Sequence, residues 1–189
     1  MPLMACNKPV STTTTVKDSV KSYQTEIQRL KSYAKQHQYN QKLAFFIDFS
    51  LHSGKNRFFV VDLIADKIIL QGLVCHGDAK GKNSSDYPTV FSNTIHSHSS
   101  SLGMAVVEER AYSSWGKHVK YWLKGLESTN SKMRQRIVVL HAWTQVPDSE
   151  VYPASIAMSW GCPTVSVKFL DQLDALLAKE KKVLLYTFQ

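Results

Sequence analysis

Short apolar runs of strand length, each bounded by turn residues, fill the sequence from residue 43 onward and restrict the chain to a fold rich in β-strands. The first three runs are separated by a turn at residues 52–56 and a tight connection at 65–67, which is typical of an antiparallel meander. A chain of 189 residues suits a single core. Strands are predicted over residues 43–49, 57–64, 68–75, 102–112, 118–126, 137–140 and 183–188.

Two segments have helical rather than strand periodicity. Apolar residues recur at steps of three and four from Val16 to Ala34, which predicts an N-terminal helical region over residues 16–40. A second amphipathic helix is indicated by apolar side chains at 167, 170, 173, 176 and 177. The polar, threonine-rich residues 1–15 are interpreted as a flexible tether, and residues 43–189 as a mainly β domain with helices added at its surface.

The chain is basic, with a formal charge of +8 and a pI near 9.4, which favours anionic partners or surroundings. Its lysines and arginines are scattered, so nucleic acid is not expected as a partner. No apolar run is long enough to span a bilayer. The segment Leu3-Met4-Ala5-Cys6 resembles the end of a bacterial lipoprotein signal, so Cys6 is either a site for a lipid anchor or an ordinary exposed cysteine.

The segment Ser159-Trp160-Gly161-Cys162-Pro163 carries the strongest chemical signal. If Cys162 directly precedes a helix, with Pro163 in the first turn, the helix amides and dipole would favour the reactive thiolate. Gly161 allows close approach of a substrate carbonyl, and the N–H groups of Gly161 and Cys162 could bind an oxyanion. The alternative is a buried structural cysteine.

His141 is the candidate base. It ends a short apolar strand and opens a loop, where a rigid scaffold commonly presents a catalytic group. An imidazole there could accept the Cys162 proton and later protonate a leaving amine. His141 precedes Cys162 by 21 residues, whereas papain-type peptidases place the cysteine far before the histidine. The alternative is a structural histidine at a strand end.

The order of these segments resembles the signature of the L,D-transpeptidase catalytic domain: a strand that ends in His141, a loop, and then Ser159 to Cys162. The Trp-Gly-Cys-Pro form resembles the divergent murein L,D-transpeptidase subfamily, and the likeness extends over residues 43–188. Further matching segments are His76-Gly77, Phe91-Ser92-Asn93 and Ser100-Ser101-Leu102-Gly103. The resemblance implies a mainly β, β-sandwich-like fold with an N-terminal helix and a helix after Cys162.

The activity that the resemblance implies is acyl transfer on peptidoglycan stem peptides, with no cofactor. Cys162 would attack the carbonyl that joins the L-centre of a diamino acid to D-alanine, and His141 would protonate the leaving D-alanine. A neighbouring amine would complete transpeptidation, whereas water would make the protein an L,D-carboxypeptidase. The expected location is the periplasmic or outer-surface side of the cell envelope, and the expected state is a monomer. Gly161 and Ser159 complete the expected catalytic set, although Ser159 could instead only hold the turn. The expected substrate-binding residues are His76, Trp160, Ser100, Tyr112 and Trp143. The alternatives are a solvated loop histidine at position 76 and a packing role for the aromatic side chains.

Several positions depart from the family pattern. Ala142 replaces the glycine after the histidine, Trp160 replaces a histidine, and Pro163 replaces a small apolar residue. Thr164 stands where the better-studied branch has an arginine, which puts recognition of a substrate carboxylate in doubt.

Two other functions remain open from the sequence. His96 and His98 would project from one face of a strand, and with His76, Asp78 or Asp86 they could bind zinc as in some wall-cleaving metallopeptidases. The other alternative is a non-catalytic wall-binding domain that keeps the fold.

Overall fold

The computed structural model describes residues 23–189, so Cys6, the tether at 1–15 and the predicted start of the first helix lie outside the described residues. The described part of the chain is mainly β, as predicted, and residues 23–189 contain two helices. The helices are α1 (Gln24–His37) and α2 (Val167–Lys179). The strands are β1 (Leu43–Asp48), β2 (Phe58–Asp62), β3 (Lys67–Gly72), β4 (Gly103–Tyr112), β5 (Val119–Gly125), β6 (Val139–Ala142), β7 (Thr164–Val165) and β8 (Leu184–Phe188).

All eight strands join one sheet in the order β3-β2-β1-β8-β4-β5-β6-β7. The predicted meander is correct, since β1 pairs antiparallel with β2 and β2 with β3. The last strand lies in the middle of the sheet, where β8 pairs parallel with β1 and antiparallel with β4.

A core covers each face of the sheet. On one face, Ile27, Leu30 and Ala34 of α1 pack against side chains such as Phe46 and Phe59. The larger core on the other face contains residues from both halves of the sheet together with α2. Phe58 of β2 and Leu140 of β6 both belong to that core, so strands from both halves of the sheet contribute to it.

The segment after Cys162 corrects the sequence prediction. Cys162 and Pro163 are followed by β7, which pairs parallel with β6, and α2 begins only at Val167. The β-branched pair of β7 favours an extended conformation, and Ser166 caps the helix by accepting the N–H of Phe169 at 3.1 Å. Pro163 is therefore not in a helical first turn, and the dipole of α2 does not begin at the Cys162 thiol.

Candidate active site

Residues 159–162 form a tight turn fixed to the segment that follows β3. Ser159 makes a parallel bridge with Gly77: its N–H donates to His76 O at 2.8 Å, and its carbonyl accepts the N–H of Asp78 at 2.9 Å. The Ser159 hydroxyl accepts the N–H of Gly161 at 3.1 Å and donates to Cys162 O at 2.7 Å. The serine thus closes the turn that presents the cysteine.

Gly161 has two reasons to be glycine. Its φ of 103° is unfavourable for residues with a Cβ, and an added Cβ would lie 2.4 Å from Ser99 O. The N–H of Gly161 is already bonded to Ser159, so it is not the free oxyanion donor that the sequence suggested.

The Cys162 thiol is half-buried at the rim of the sheet. Its sulfur accepts the N–H of Val139 at 3.5 Å, and the thiol donates to Ile137 O at 3.7 Å. Burial raises the pKa of the Cys162 thiol above its ordinary value, while the Val139 N–H and the Arg136 guanidinium offset part of the rise. The resting thiol is therefore protonated at neutral pH.

His141 lies on β6 directly opposite Thr164 of β7. Its Nδ1 is 3.2 Å from the carbonyl of Ala142, which can only accept, so Nδ1 carries the proton. Nε2 is then the bare nitrogen, and it accepts the hydroxyl of Thr164 at 3.0 Å. Burial lowers the pKa of His141, aided by nearby Lys120 and opposed by the bond to Ala142, so the imidazole is neutral at neutral pH.

The predicted base and nucleophile open into one cavity of about 350 Å³. The cavity is lined by Trp115, His141, Trp143, Met158, Ser159, Trp160, Cys162 and Thr164. The structure thus brings together five predicted site residues, with Gly161 in the adjoining turn. The thiol and the imidazole are hydrogen-bonded to Ile137 and Thr164 rather than to each other. A larger cavity of about 610 Å³, between the C-terminal ends of both helices and β4, contains none of the predicted catalytic residues.

Three predicted substrate-binding residues lie outside this cavity. His76 is 1% exposed; its Nδ1 accepts from Arg57 at 2.7 Å and its Nε2 donates to Ser84 O at 2.8 Å. Burial and then Arg57 lower the pKa of His76 to about 4. Ser100 is also buried and accepts the N–H of Gly77 at 3.1 Å, so both residues support the segment paired with Ser159. Tyr112 is 73% exposed and stacks on His118.

The candidate zinc ligands are dispersed. Within residues 23–189, no three His, Cys, Asp or Glu side chains gather closely enough to hold a metal ion. Nδ1 of His98 lies 3.5 Å from a carboxylate oxygen of Asp78, whereas Asp86 faces His52 at the same distance. His76 is buried against Arg57. The arrangement therefore gives the zinc-peptidase alternative no ligand cluster in this part of the chain.

Arg136 is a site residue that the sequence analysis missed. Its Nη1 donates to Ser92 O at 2.8 Å and Ser101 Oγ at 2.5 Å, and its Nη2 donates to Ser99 O at 2.6 Å and Ser97 Oγ at 3.2 Å. Nη2 would lie 3.3 Å from a Cβ added to Gly161. With these four acceptors occupying its terminal nitrogens, the guanidinium holds the 92–101 loop against the cysteine turn and places a positive charge near the thiol.

A family model of the L,D-transpeptidase catalytic domain matches residues 14–187, nearly the whole chain. The chain belongs to this family. The match includes the cavity and every residue of the candidate site, and the resemblance inferred from the motifs is confirmed. A search of the curated proteins finds no match. None of the helices found in residues 23–189 has the length and apolar character needed to cross a membrane.

Solved structures similar to this chain include the helical cell shape determining protein Pgp2 from Campylobacter jejuni, at 10% identity and a TM-score of 0.50. That comparison covers 80% of this chain and 49% of Pgp2, so this chain matches about half the length of that protein. The Ldtfm-avibactam carbamoyl enzyme matches at 11% identity and a TM-score of 0.47 over 79% and 50% of the two chains. An L,D-transpeptidase from Xylanimonas cellulosilytica matches at 11% identity and 0.45 over 83% and 68%. At such identities the likeness to Pgp2 concerns the fold.

Proposed function

We propose that this family member transfers acyl groups on peptidoglycan stem peptides, with Cys162 as nucleophile and His141 as general base. One observation carries the proposal: Cys162 and His141, whose Nε2 carries no proton, line the same cavity. The other wall residues are largely apolar and aromatic, which suits a site that limits water during acyl transfer.

The pKa directions determine when the proton moves. Burial keeps the Cys162 thiol protonated and the His141 imidazole neutral, so the resting pair carries no charge. Proton transfer then accompanies attack rather than preceding it. For this step the thiol must exchange Ile137 O for Nε2 of His141 as its acceptor. Because Nε2 has one lone pair, the Thr164 hydroxyl must at the same time turn its proton from Nε2 to Cys162 O.

The first half-reaction acylates the enzyme. The Cys162 proton moves to Nε2 of His141 while sulfur bonds to the carbonyl carbon of the diamino acid. The carbon–nitrogen bond to D-alanine breaks, and His141 returns the proton to the leaving amine. Because the Gly161 N–H is bonded to Ser159, we assign the N–H of Cys162 as the oxyanion donor of the turn.

The second half-reaction regenerates the thiol. An amine of a neighbouring stem gives a proton to His141 and bonds to the acyl carbon, the carbon–sulfur bond breaks, and Cys162 takes the proton back. Attack by water instead yields the L,D-carboxypeptidase reaction. With such a substrate the protein works in the cell envelope; a lipid on Cys6 and a monomeric state remain predictions.

Product analysis of digested peptidoglycan tests this proposal directly. Incubation with the protein should produce new cross-linked muropeptides or shortened stems, and Cys162→Ala should remove both. Intact mass should show an acyl adduct with a reactive β-lactam on the parent protein and on a Cys75→Ala control, because Cys75 is buried away from the cavity. Products or an adduct that persist in Cys162→Ala would exclude this mechanism, and wall retention without products would favour the non-catalytic binding domain.

A further inference from the structure

An exposed indole stands at the mouth of the cavity. Trp160 is 74% exposed although it is a large apolar side chain, and it lies two residues before Cys162. A large aromatic side chain that stays exposed beside a cavity often belongs to a binding surface, whereas single apolar residues scattered over a surface need no such explanation.

The indole is held in one orientation from beneath. The ring of His98 stacks on Trp160 with centroids 4.6 Å apart and an angle of 12° between the planes. His98 adopts a left-handed φ of 57°, which is uncommon for a residue with a Cβ and indicates local strain. Its carbonyl accepts the N–H of Ala79 at 3.1 Å, so the backbone is fixed in the position that puts the imidazole under the indole.

A polar group lies beside the stack. The carboxylate of Asp78 is 3.5 Å from Nδ1 of His98 and remains partly exposed. Asp78 is tied to the cysteine turn through its N–H, which donates to Ser159 O at 2.9 Å. The platform, defined here as Trp160, His98 and Asp78, therefore has a flat apolar face with a hydrogen-bond acceptor at its edge.

This combination matches the surface of a pyranose. A sugar ring has an apolar face of C–H groups, which packs on an indole, and a rim of hydroxyl and amide groups, which bind carboxylate and imidazole. An extended peptide is instead recognised through backbone partners and side-chain pockets, whereas the platform presents the flat face of one ring.

We propose that this platform is a saccharide subsite that binds an N-acetylated amino sugar of the glycan strand. The inference rests on the proposed function, since the stem peptide bonded to that sugar would then enter the cavity toward Cys162. The platform would make the enzyme prefer stems still attached to glycan over free stem peptides.

Kinetics with two donors test the subsite. For a disaccharide-tetrapeptide and the free tetrapeptide, the ratio of kcat/KM should favour the disaccharide form, and Trp160→Ala should reduce that ratio about tenfold. His98→Ala should reduce it less, because the indole remains but loses its support. Tyr87→Ala is the matched control, because Tyr87 also packs on a histidine, His52, but lies outside the cavity.

Binding without turnover separates this inference from the proposed function. Calorimetric titration of stem-free glycan fragments into Cys162→Ala should show binding that a second Trp160→Ala substitution removes. Equal losses on both donors, or absent binding of the fragments, would overturn the saccharide assignment even if transpeptidation stands. Fragment binding that depends on Trp160 supports the subsite even if neither donor is turned over.

Discussion

Replacing Thr164 by valine removes one hydroxyl from the candidate site while keeping the shape of a side chain that is 1% exposed. In the resting site this hydroxyl donates to Nε2 of His141 at 3.0 Å. When Nε2 takes the thiol proton, the hydroxyl must reverse its role and accept from the new N–H. Its own proton can then go to Cys162 O, which is 3.3 Å away.

The size of the effect follows from the change in charge. A neutral hydrogen bond contributes about 0.5–1.5 kcal/mol, and one to a charged group contributes about 1.5–3 kcal/mol. The valine variant loses the neutral bond in the resting state and the stronger, charged bond in the transition state. The transition state is therefore destabilised relative to the resting state by the difference between the two bonds, about 1–1.5 kcal/mol. We expect kcat/KM to fall about 5- to 12-fold.

Thioester formation with a chromogenic or mass-detected acyl donor measures this value. Thr164→Ser is the control, because it keeps the hydroxyl and should retain most of the activity. Thermal unfolding of both variants tests whether the fold is intact. If the valine variant is as active as the parent protein, or the serine variant loses as much activity as valine, the assigned role of Thr164 in holding the base is refuted.

Three further substitutions probe the surroundings of the site. His76 binds fewer protons in the folded state, because its pKa is lowered to about 4. The free energy of unfolding should therefore fall as the pH drops below about 6.5, by about 3 kcal/mol at pH 4. Denaturant unfolding of His76→Asn should show a flatter pH dependence. Arg136→Met removes a cation that lowers the pKa of Cys162, so iodoacetamide alkylation of the thiol should shift to higher pH. Gly161→Ala should lower acylation about a hundredfold, because the new Cβ meets Ser99 O and the backbone needs a positive φ.

Each of these has a clear contrary result. An unchanged pH dependence in His76→Asn would mean that other groups cause the acid sensitivity. An alkylation profile of Arg136→Met that matches the parent protein would remove the guanidinium from the electrostatics of the thiol. Gly81 also has a positive φ, but a Cβ added there would meet no atom within 4 Å, so Gly81→Ala should leave acylation intact. Equal losses in both variants would show that steric contact with Ser99 is unimportant.

Most of the strands could be predicted because each apolar run has the length of a strand and is bounded by turn residues. The sequence does not predict the two-residue strand Thr164–Val165, because two residues cannot show a periodicity, and Pro163 suggests the start of a helix there instead. The cap at Ser166 was the available signal, since serine preceding the apolar pattern marks the true beginning of α2.

Cys162 and His141 could be proposed from the sequence because a thiol is a typical nucleophile and an imidazole is a typical general base. Arg136 could not, since most of its bonding is to backbone carbonyls and serine hydroxyls that any sequence can supply. The His76-Gly77 motif predicts a position in the cleft for His76, yet its partner Arg57 is 19 positions earlier and pairs with it only after folding. Local patterns identify reactive groups but do not reveal which polar groups the fold will bury.

The position of β8 has a consequence for synthesis of the protein. Because residues 184–188 join β1 to β4, the strand that unites the two halves of the sheet is synthesised after all the other strands described here. Until then, an edge of β1 and an edge of β4 present unpaired backbone groups, which are open to pairing with other chains. A nascent chain halted before residue 184 should therefore be a substrate for chaperones, while the completed one is not.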